Sequence, residues 1–312
     1  MDTKNTVCEN TGDLQEALGQ ILEESRSAAA GGKLACYIPE LANADPDQIG
    51  AYVLAGDGAC FAGDWDALFT MQSVVKPLIL LLALQDNGVE SVRKLVGVEA
   101  TGKPFDTFNY TDQALKNEHI NPMINAGAIA LCTLIKGDTY QEKIERLLNF
   151  ARALAKNPAL EIDRQVYLSE KATGNKNRAL AYMLSAYRMI NEDVETLLDC
   201  YFGACSIKVS CKDLANIAYA LAHCDTNGII NEEDARFVNA ILMTSGMYDG
   251  SGEFALSVGV PAKSGVGGGI MAVVPGRMGI GVYSPLLDKK GNSQAGKRIL
   301  ELLSQKLHLS VF

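Results

Sequence analysis

The 312-residue sequence predicts an α/β fold of the α+β kind, in which a mainly antiparallel sheet flanked by helices carries an inserted all-helical domain. Two observations predict it. Strand-like segments occur near both ends of the chain, and a long series of helical patterns separates them. We therefore expect a discontinuous sheet-containing domain from residues 1–86 and 245–312, a helical domain from residues 87–244, and a functional cleft at their junction.

The first elements along the chain are a helix and a hairpin. Residues 13–30 place leucine and isoleucine side chains at helical spacing. Two strand-like stretches follow at 48–54 and 60–63, and the Asp57-Gly58 step between them is typical of a tight hairpin turn. A largely apolar helix should then begin near Ser73 and end near Asn87-Gly88, a pair suited to a helix C-terminus.

The central elements are helical and the later ones are mostly strands. Helices are predicted at 122–135, 140–155, 177–190, 192–202, 211–222 and 232–244. Strands are predicted at 254–260, 269–274 and 278–283, with turns at 263–265 and 275–276 and a final amphipathic helix at 293–307.

Composition excludes several classes of partner. The net charge of −9 disfavours nucleic acid and anionic membranes as partners, because both repel an acidic surface. The longest apolar run, residues 77–84, is too short to span a bilayer. The N-terminal residues lack the basic and apolar regions of a signal peptide, so a cytoplasmic location is expected.

Cysteine and histidine usage argues against a metal centre. The eight cysteines form no C-x-x-C pair, and most lie in apolar segments, as reduced core thiols do. The three histidines are scattered, which gives little support to a zinc site or a Ser-His-Asp triad. We therefore expect no metal and no organic cofactor.

The most informative motif is S-x-x-K at Ser73 and Lys76, followed by Pro77 and a run of apolar residues. Proline is tolerated in the first turn of a helix, so it marks the helix start. Ser73 would lie at the positive end of the helix dipole, and Lys76 would face the same way within reach of its hydroxyl. Burial would lower the pKa of this lysine towards the value that a general base needs.

The motif alone does not decide between a nucleophile with its base and a helix-capping serine beside an extended lysine. Chance produces about one such match in a chain of this length. A second copy, Ser91 and Lys94, lies beside charged residues and is interpreted as a solvated surface turn.

A second motif, Lys263-Ser264-Gly265, is followed by Val266 and three glycines. A K-[ST]-G strand beside an S-x-x-K serine is the arrangement of penicillin-recognising acyl enzymes. The glycines allow close backbone approach, and a nearby N–H group would complete an oxyanion hole with that of Ser73. A glycine-rich hairpin turn is the structural alternative, while a phosphate loop lacks its required residue order.

Eight ordered segments between residues 37 and about 293 closely resemble the serine-dependent glutaminases of the β-lactamase-like fold. Residues 109–110 and 116–119 follow the family pattern less well, which concerns one wall of the cleft. The matching segments are 37–42, 72–77, 121–129, 169–170 with 177–178, 201–202 with 205–206, 245–249, 261–266, and 284–285 with 287–288.

The resemblance implies a role for each site residue. Ser73 would be the nucleophile and Lys76 its base, and the backbone N–H groups of Ser73 and Val266 would hold the oxyanion. Tyr201 and Tyr248 would assist proton transfer and order the site. The residues implied to bind the amino-acid end of glutamine are Tyr37, Gln72, Asn125, Glu170, Asn177 and Tyr201.

The chemistry of these side chains fits that division. The α-ammonium of glutamine needs a carboxylate, which Glu170 supplies, and amide donors such as Asn125 and Asn177 suit its α-carboxylate. Structural alternatives exist for each residue: a helix cap for either asparagine, a solvated acid for Glu170, and half-buried core positions for the tyrosines.

We therefore expect a β-lactamase/DD-peptidase-like fold and a glutaminase that hydrolyses the side-chain amide of L-glutamine through a seryl acyl-enzyme. A β-lactam hydrolase or serine peptidase is the enzymatic alternative, and a non-catalytic ligand sensor on the same fold is the other. The resemblance also implies a homodimer or homotetramer, although no coiled-coil heptad predicts an interface.

Overall fold

The computed structural model describes residues 11–56, 58–100, 120–224 and 228–312. Its main sheet has five strands, all paired antiparallel, and a separate two-stranded ladder lies beside it. The main strands are β1 (Gly50–Ala55), β2 (Gly58–Gly63), β5 (Ala262–Ser264), β6 (Gly269–Val274) and β7 (Met278–Tyr283), and the short pair is β3 (Phe69–Thr70) with β4 (Lys208–Val209). The order across the main sheet is β2-β1-β7-β6-β5, so strands from both ends of the chain form one sheet and meet where β1 pairs with β7.

Eleven α-helices of four residues or more lie within the described ranges. They are α1 (Thr11–Arg26), α2 (Lys76–Leu95), α3 (Asn125–Cys132), α4 (Tyr140–Ala155), α5 (Arg164–Thr173), α6 (Asn175–Ala186), α7 (Val194–Cys205), α8 (Cys211–His223), α9 (Glu232–Ser245), α10 (Ser251–Ser257) and α11 (Gln294–Leu307). None of these helices is long and apolar enough to cross a membrane, within the residues that the structure describes.

The sheet is covered on both faces. Ala51 and Val53 of β1 pack with α1 and α11, whereas Tyr52 between them belongs to the other core, because side chains alternate along a strand. Helix α8 packs across that second face, and Gly279 and Gly281 of β7 let its backbone come very close. A Cβ atom at either glycine would lie 2.1 Å from a carbonyl oxygen of α8.

Helix α2, which follows Ser73, is buried through most of its first half. Its first residues from Lys76 to Leu84 are all buried, and it packs against α3. The predicted end at Gly88 corresponds to a break in the helix, where this glycine adopts the left-handed φ of 75°. Helical structure resumes beyond it to Leu95, so the second S-x-x-K copy lies on a helix and the expected surface turn is wrong, although Lys94 is exposed as expected.

Two element predictions differ from the structure in type. Residues 254–260 were expected to form a strand, but Ser251–Ser257 form α10, and the Val258 N–H group closes a helical turn on the Phe254 carbonyl at 2.8 Å. The short helix Arg164–Thr173 was not predicted. Its start is fixed by Asp163, whose carboxylate accepts from two N–H groups of the first turn.

The other predicted elements are present with small shifts in their bounds. Helix α4 and strands β6 and β7 have the predicted bounds. Strand β5 includes Lys263 and Ser264, where a turn was expected, and the turn itself follows from Gly265. The β1–β2 hairpin is present, and its Asp57 lies outside the described residues.

Candidate active site

Ser73 and Lys76 lie where a single turn of 3-10 helix leads into α2. The turn spans Gln72–Val75, and the Lys76 N–H group donates to the Ser73 carbonyl. Ser73 is 6% exposed and Lys76 is fully buried. Gln72 precedes them with a left-handed φ of 47°, a conformation that is rare for a residue with a side chain. This backbone geometry presents Ser73 at the start of a buried helix.

The Lys76 side chain donates hydrogen bonds to two uncharged acceptors. Its Nζ donates to Asn125 Oδ1 at 2.7 Å and to the Met123 carbonyl at 3.2 Å. The same Asn125 oxygen accepts from the Tyr201 hydroxyl at 3.3 Å, and Asn125 Nδ2 donates to Asn177 Oδ1 at 2.9 Å. Asn125 therefore joins the lysine to two other predicted site residues. Neither asparagine is a helix N-cap, which excludes that structural alternative.

Tyr248 contacts the Ser73 side chain. The Tyr248 hydroxyl is hydrogen-bonded to the Ser73 side chain and donates to the Ser264 carbonyl at 2.9 Å. Burial raises the pKa of Tyr248, so this phenol stays protonated at neutral pH. Its backbone has a left-handed φ of 56°. Tyr248 thus links the predicted nucleophile to the end of strand β5.

Lys263 supports this arrangement, although the sequence did not predict its side chain as a site residue. Its Nζ donates to the carbonyls of Ser264 at 2.6 Å and Gly246 at 3.0 Å, and lies 4.3 Å from the centre of the Tyr248 ring. Burial, with the charge of Lys76 acting in the same direction, lowers the pKa of Lys263 well below its usual range.

The glycine-rich turn after β5 passes directly against the Ser73 turn. A Cβ atom on Gly265 would lie 2.5 Å from the Met71 carbonyl oxygen, and one on Gly267 would lie 2.5 Å from the Thr70 carbonyl oxygen. Only glycine fits at both positions. Val266 between them is 4% exposed. The two backbone segments that were predicted to supply oxyanion donors are therefore neighbours.

Glu170 is the acidic residue of the site, and its burial excludes the alternative of a solvated surface acid. It is 5% exposed on α5, and its Oε2 atom has no hydrogen-bond partner in the described structure. Burial raises the pKa of Glu170 to about 8, opposed by the positive charge of Lys76. A buried carboxyl with an unsatisfied oxygen is suited to receive a cationic group.

A cavity of about 700 Å³ lies beside this group of residues. Glu170, Asn125, Asn177 and Val266 line it, as does Tyr37, which is 54% exposed. Tyr37 is therefore not a half-buried core residue, whereas Tyr201 and Tyr248 are buried. Gln72 is also buried, with its Nε2 donating to Thr70 Oγ1 at 3.1 Å. Residues 109–110 and 116–119, the expected weaker match to the family, lie outside the described residues.

One important group could not be found by searching for reactive side chains. The second acceptor of Lys76 is the main-chain carbonyl of Met123. A carbonyl is present at every residue, so no residue type identifies it, and only the bend of the chain at 121–124 brings it to the lysine.

Comparison with known proteins decides the family, since a model of the glutaminase family matches residues 32–312. The chain belongs to the glutaminase family. It is 50% identical to a glutaminase from Clostridium tetani over 305 residues, which cover 96% of this chain and 100% of that protein. The chain is therefore an enzyme, a hydrolase with glutaminase activity.

Two solved structures extend the comparison to ligands. A covalent complex between a Bacillus subtilis glutaminase and 5-oxo-L-norleucine, formed by reaction with 6-diazo-5-oxo-L-norleucine, matches with a TM-score of 0.87 and 36% identity, covering 96% of this chain and 100% of that one. The glutamate form of Mglu matches with a TM-score of 0.90 and 34% identity, covering 96% of this chain and 69% of that one.

Proposed function

We propose that the enzyme hydrolyses the side-chain amide of L-glutamine through an ester on Ser73, with Lys76 as the base. The environment of Lys76 carries this proposal. A neutral amine has two N–H bonds and one lone pair. The Met123 carbonyl and Asn125 Oδ1 account for both N–H bonds, which directs the lone pair away from them. Full burial favours the neutral form.

The reaction then follows in two stages. The Ser73 hydroxyl attacks the amide carbon while its proton passes to Lys76, and the backbone N–H groups of Ser73 and Val266 stabilise the negative oxygen. The proton is delivered to the leaving nitrogen, with Tyr248 assisting, and ammonia departs from a γ-glutamyl ester. Water attacks the ester, Lys76 again takes the proton, and L-glutamate is released with the serine restored. No metal or organic cofactor takes part in this scheme.

Substrate recognition is assigned to the cavity residues. Glu170 pairs with the α-ammonium, because it is the buried acid with an unsatisfied oxygen. Asn125 and Asn177 hold the α-carboxylate, and the hydrogen bond between them fixes both amide planes. Tyr201, Gln72 and Tyr37 complete the pocket. The reaction of a relative with a glutamine-like diazo compound, and the glutamate form of another, support glutamine as substrate and glutamate as product.

The proposed fold, domain division, oligomeric state and location rest on the family resemblance and on the order of strands and helices along the chain. We propose a β-lactamase-like fold with residues 87–244 inserted as a helical domain and the site at the junction, since strands from both ends of the chain form one sheet. A homodimer or homotetramer in the cytoplasm, with no nucleic-acid or membrane partner, remains the expected setting.

One assay separates this function from the alternatives. The purified protein is expected to release ammonia from L-glutamine and to leave a chromogenic β-lactam without an amino group intact, because the cavity presents a carboxylate to an α-ammonium that this β-lactam lacks. Hydrolysis of the β-lactam alone would show an enzyme of the penicillin-recognising class. Binding of glutamine without turnover of either compound would show a sensor.

Glu170→Gln is expected to raise KM for glutamine far more than it lowers kcat. Loss of a charge-assisted contact in a desolvated pocket costs roughly 2–5 kcal/mol.

Two substrate analogues test the same contact and the reach of the side chain. N-acetylglutamine lacks the ammonium, so it should be a poor substrate that hardly distinguishes wild type from mutant. Asparagine should fail because its amide cannot reach Ser73. Equal use of glutamine and N-acetylglutamine by the wild type would refute this role of Glu170.

The pH dependence of KM provides a second measurement on the same variant. Burial raises the pKa of Glu170 to about 8, so the carboxyl is protonated below that pH and must release its proton to pair with an ammonium. Apparent affinity should therefore rise by up to about tenfold per pH unit until pH 8 and then level off. Glu170→Gln should remove this slope, while Glu161→Gln, which alters a surface ion pair with Lys208, should retain it.

A further inference from the structure

Asn121 lies four residues before Asn125 and is 1% exposed. Its Oδ1 accepts from the Met123 N–H group at 2.7 Å, which closes a short side-chain turn. Its Nδ2 donates to Ser245 Oγ at 2.7 Å and to the Glu99 carbonyl at 3.1 Å. Every polar atom of this buried amide is satisfied, so its orientation is fixed on both sides.

The residue held by this turn carries the carbonyl that accepts from Lys76. Asn121 fixes the N–H group of Met123, and the carbonyl of the same residue receives the Lys76 Nζ at 3.2 Å. Helix α3 holds the turn from the other side, since a Cβ atom on Gly127 would lie 2.0 Å from the Asn121 carbonyl oxygen. The direction of one Lys76 hydrogen bond is thus set by a side chain that does not touch the lysine.

Asn121 also connects this turn to the segment that carries Tyr248. Its partner Ser245 is the last residue of α9, and the next residue is Gly246, whose carbonyl accepts from Lys263. Tyr248 follows two residues later. The Asn121 side chain therefore connects Met123, whose carbonyl accepts from Lys76, to the backbone that leads to Tyr248.

We propose that Asn121 is a positioning residue, which orients the Lys76 lone pair towards Ser73 by fixing the Met123 carbonyl against the end of α9. The inference rests on the proposed function of Lys76 as base. If the Met123 carbonyl is displaced, the Lys76 amine rotates to donate to another acceptor, and its lone pair then points away from the Ser73 hydroxyl. Substrate binding should change much less than catalysis, because Glu170 and Asn177 lie on other helices and Asn125, which begins α3, is held by its own hydrogen bond to Asn177.

The test compares Asn121→Ala with Asn157→Ala. Asn157 makes the same kind of turn, with its Oδ1 accepting from the Ala159 N–H group at 3.0 Å and its Nδ2 donating to Asp213, but it has no link to Lys76. Asn121→Ala should lower kcat by about 10²-fold with little change in KM, as expected for a small misplacement of a reacting group. Covalent labelling by 6-diazo-5-oxo-L-norleucine, followed by mass spectrometry, should slow to the same degree. Asn157→Ala should leave both rates unchanged.

Two further variants keep the proposal testable if Asn121→Ala folds poorly. Asn121→Asp can rebuild the side-chain turn, so it should recover much of kcat, but its negative charge favours protonated Lys76 and should move the acid limb of the kcat profile to higher pH. Ser245→Ala should give a smaller loss of kcat in the same direction, because the Met123 contact remains.

Specific outcomes overturn the proposal. Asn121→Ala with wild-type kcat, a loss confined to KM, or an Asn121→Asp profile identical to that of wild type would each do so. Failure of the underlying mechanism is distinguishable, since it would appear as labelling on a residue other than Ser73 in the wild-type enzyme.

Discussion

Ser73→Ala is expected to reduce kcat for glutamine by at least about 10⁴-fold, because a covalent mechanism has no alternative route once its nucleophile is removed. The substitution deletes one oxygen at a 6% exposed position, so the fold should be retained. Glutamine should still bind, since the proposed ammonium and carboxylate contacts are made by other residues. Ammonia release, a thermal melt and glutamine binding by calorimetry measure the three effects.

The second S-x-x-K copy provides the matched control. Ser91 has the same spacing to Lys94 as Ser73 has to Lys76, but it lies after the break at Gly88, and Lys94 is exposed. Ser91→Ala should therefore retain full activity. If Ser73→Ala kept more than a few per cent of wild-type activity while remaining folded, the seryl-ester mechanism would be wrong.

Lys76→Met is expected to lower kcat by about 10²–10⁴-fold, the usual contribution of a positioned general base. Methionine fills much of the same buried space but cannot accept a proton. Lys76→Arg should be equally inactive, because a guanidinium is not deprotonated in proteins. Labelling of Ser73 by 6-diazo-5-oxo-L-norleucine should slow in both variants, which tests activation of the serine separately from ester hydrolysis.

Lys94→Met is the control for Lys76→Met, since Lys94 is exposed at the end of α2. It should have wild-type kcat. Substantial activity in Lys76→Arg would show that the residue acts only through its positive charge, and the assignment as base would then be lost.

Strong local patterns allowed the sequence to predict many elements. The apolar runs of β6 and β7 are bounded by glycine and proline, and both faces of these strands are buried. Helix α4 has a Thr139 N-cap and a clear helical stripe. In each case local preference and tertiary burial favour the same conformation, so the bounds were predicted correctly.

The wrong predictions lie where local pattern and tertiary structure disagree. The apolar alternation after Phe254 resembled a strand, yet Phe254 packs into the core while Leu256 is 91% exposed. Helix α5 has few apolar residues in a regular stripe and was missed, although Glu170, which it carries, was predicted as a site residue. The hydrophobic pattern therefore did not predict helix α5, whereas the family resemblance did predict Glu170 as a site residue.

The sequence predicted which side chains form the site, but not the hydrogen bonds and contacts that connect them. Reactive residue types identified Ser73 and Lys76, whereas Asn121 acts through a main-chain group and has no distinguishing chemistry of its own. Lys263 belonged to a predicted motif, but its contact with the Tyr248 ring depends on how β5 meets the end of α9. Such contacts require the fold.

The pairing of β1 with β7 has a consequence for synthesis of the protein. Gly50 pairs with Tyr283, so the N-terminal hairpin leaves the ribosome long before its central partner exists. Until then the nascent chain presents the unpaired edge of β1. Sheets closed by such distant pairing fold slowly. Ser73 is therefore expected to be unreactive on the ribosome, since Tyr248 and Val266, which complete its site, are translated much later than Ser73 itself.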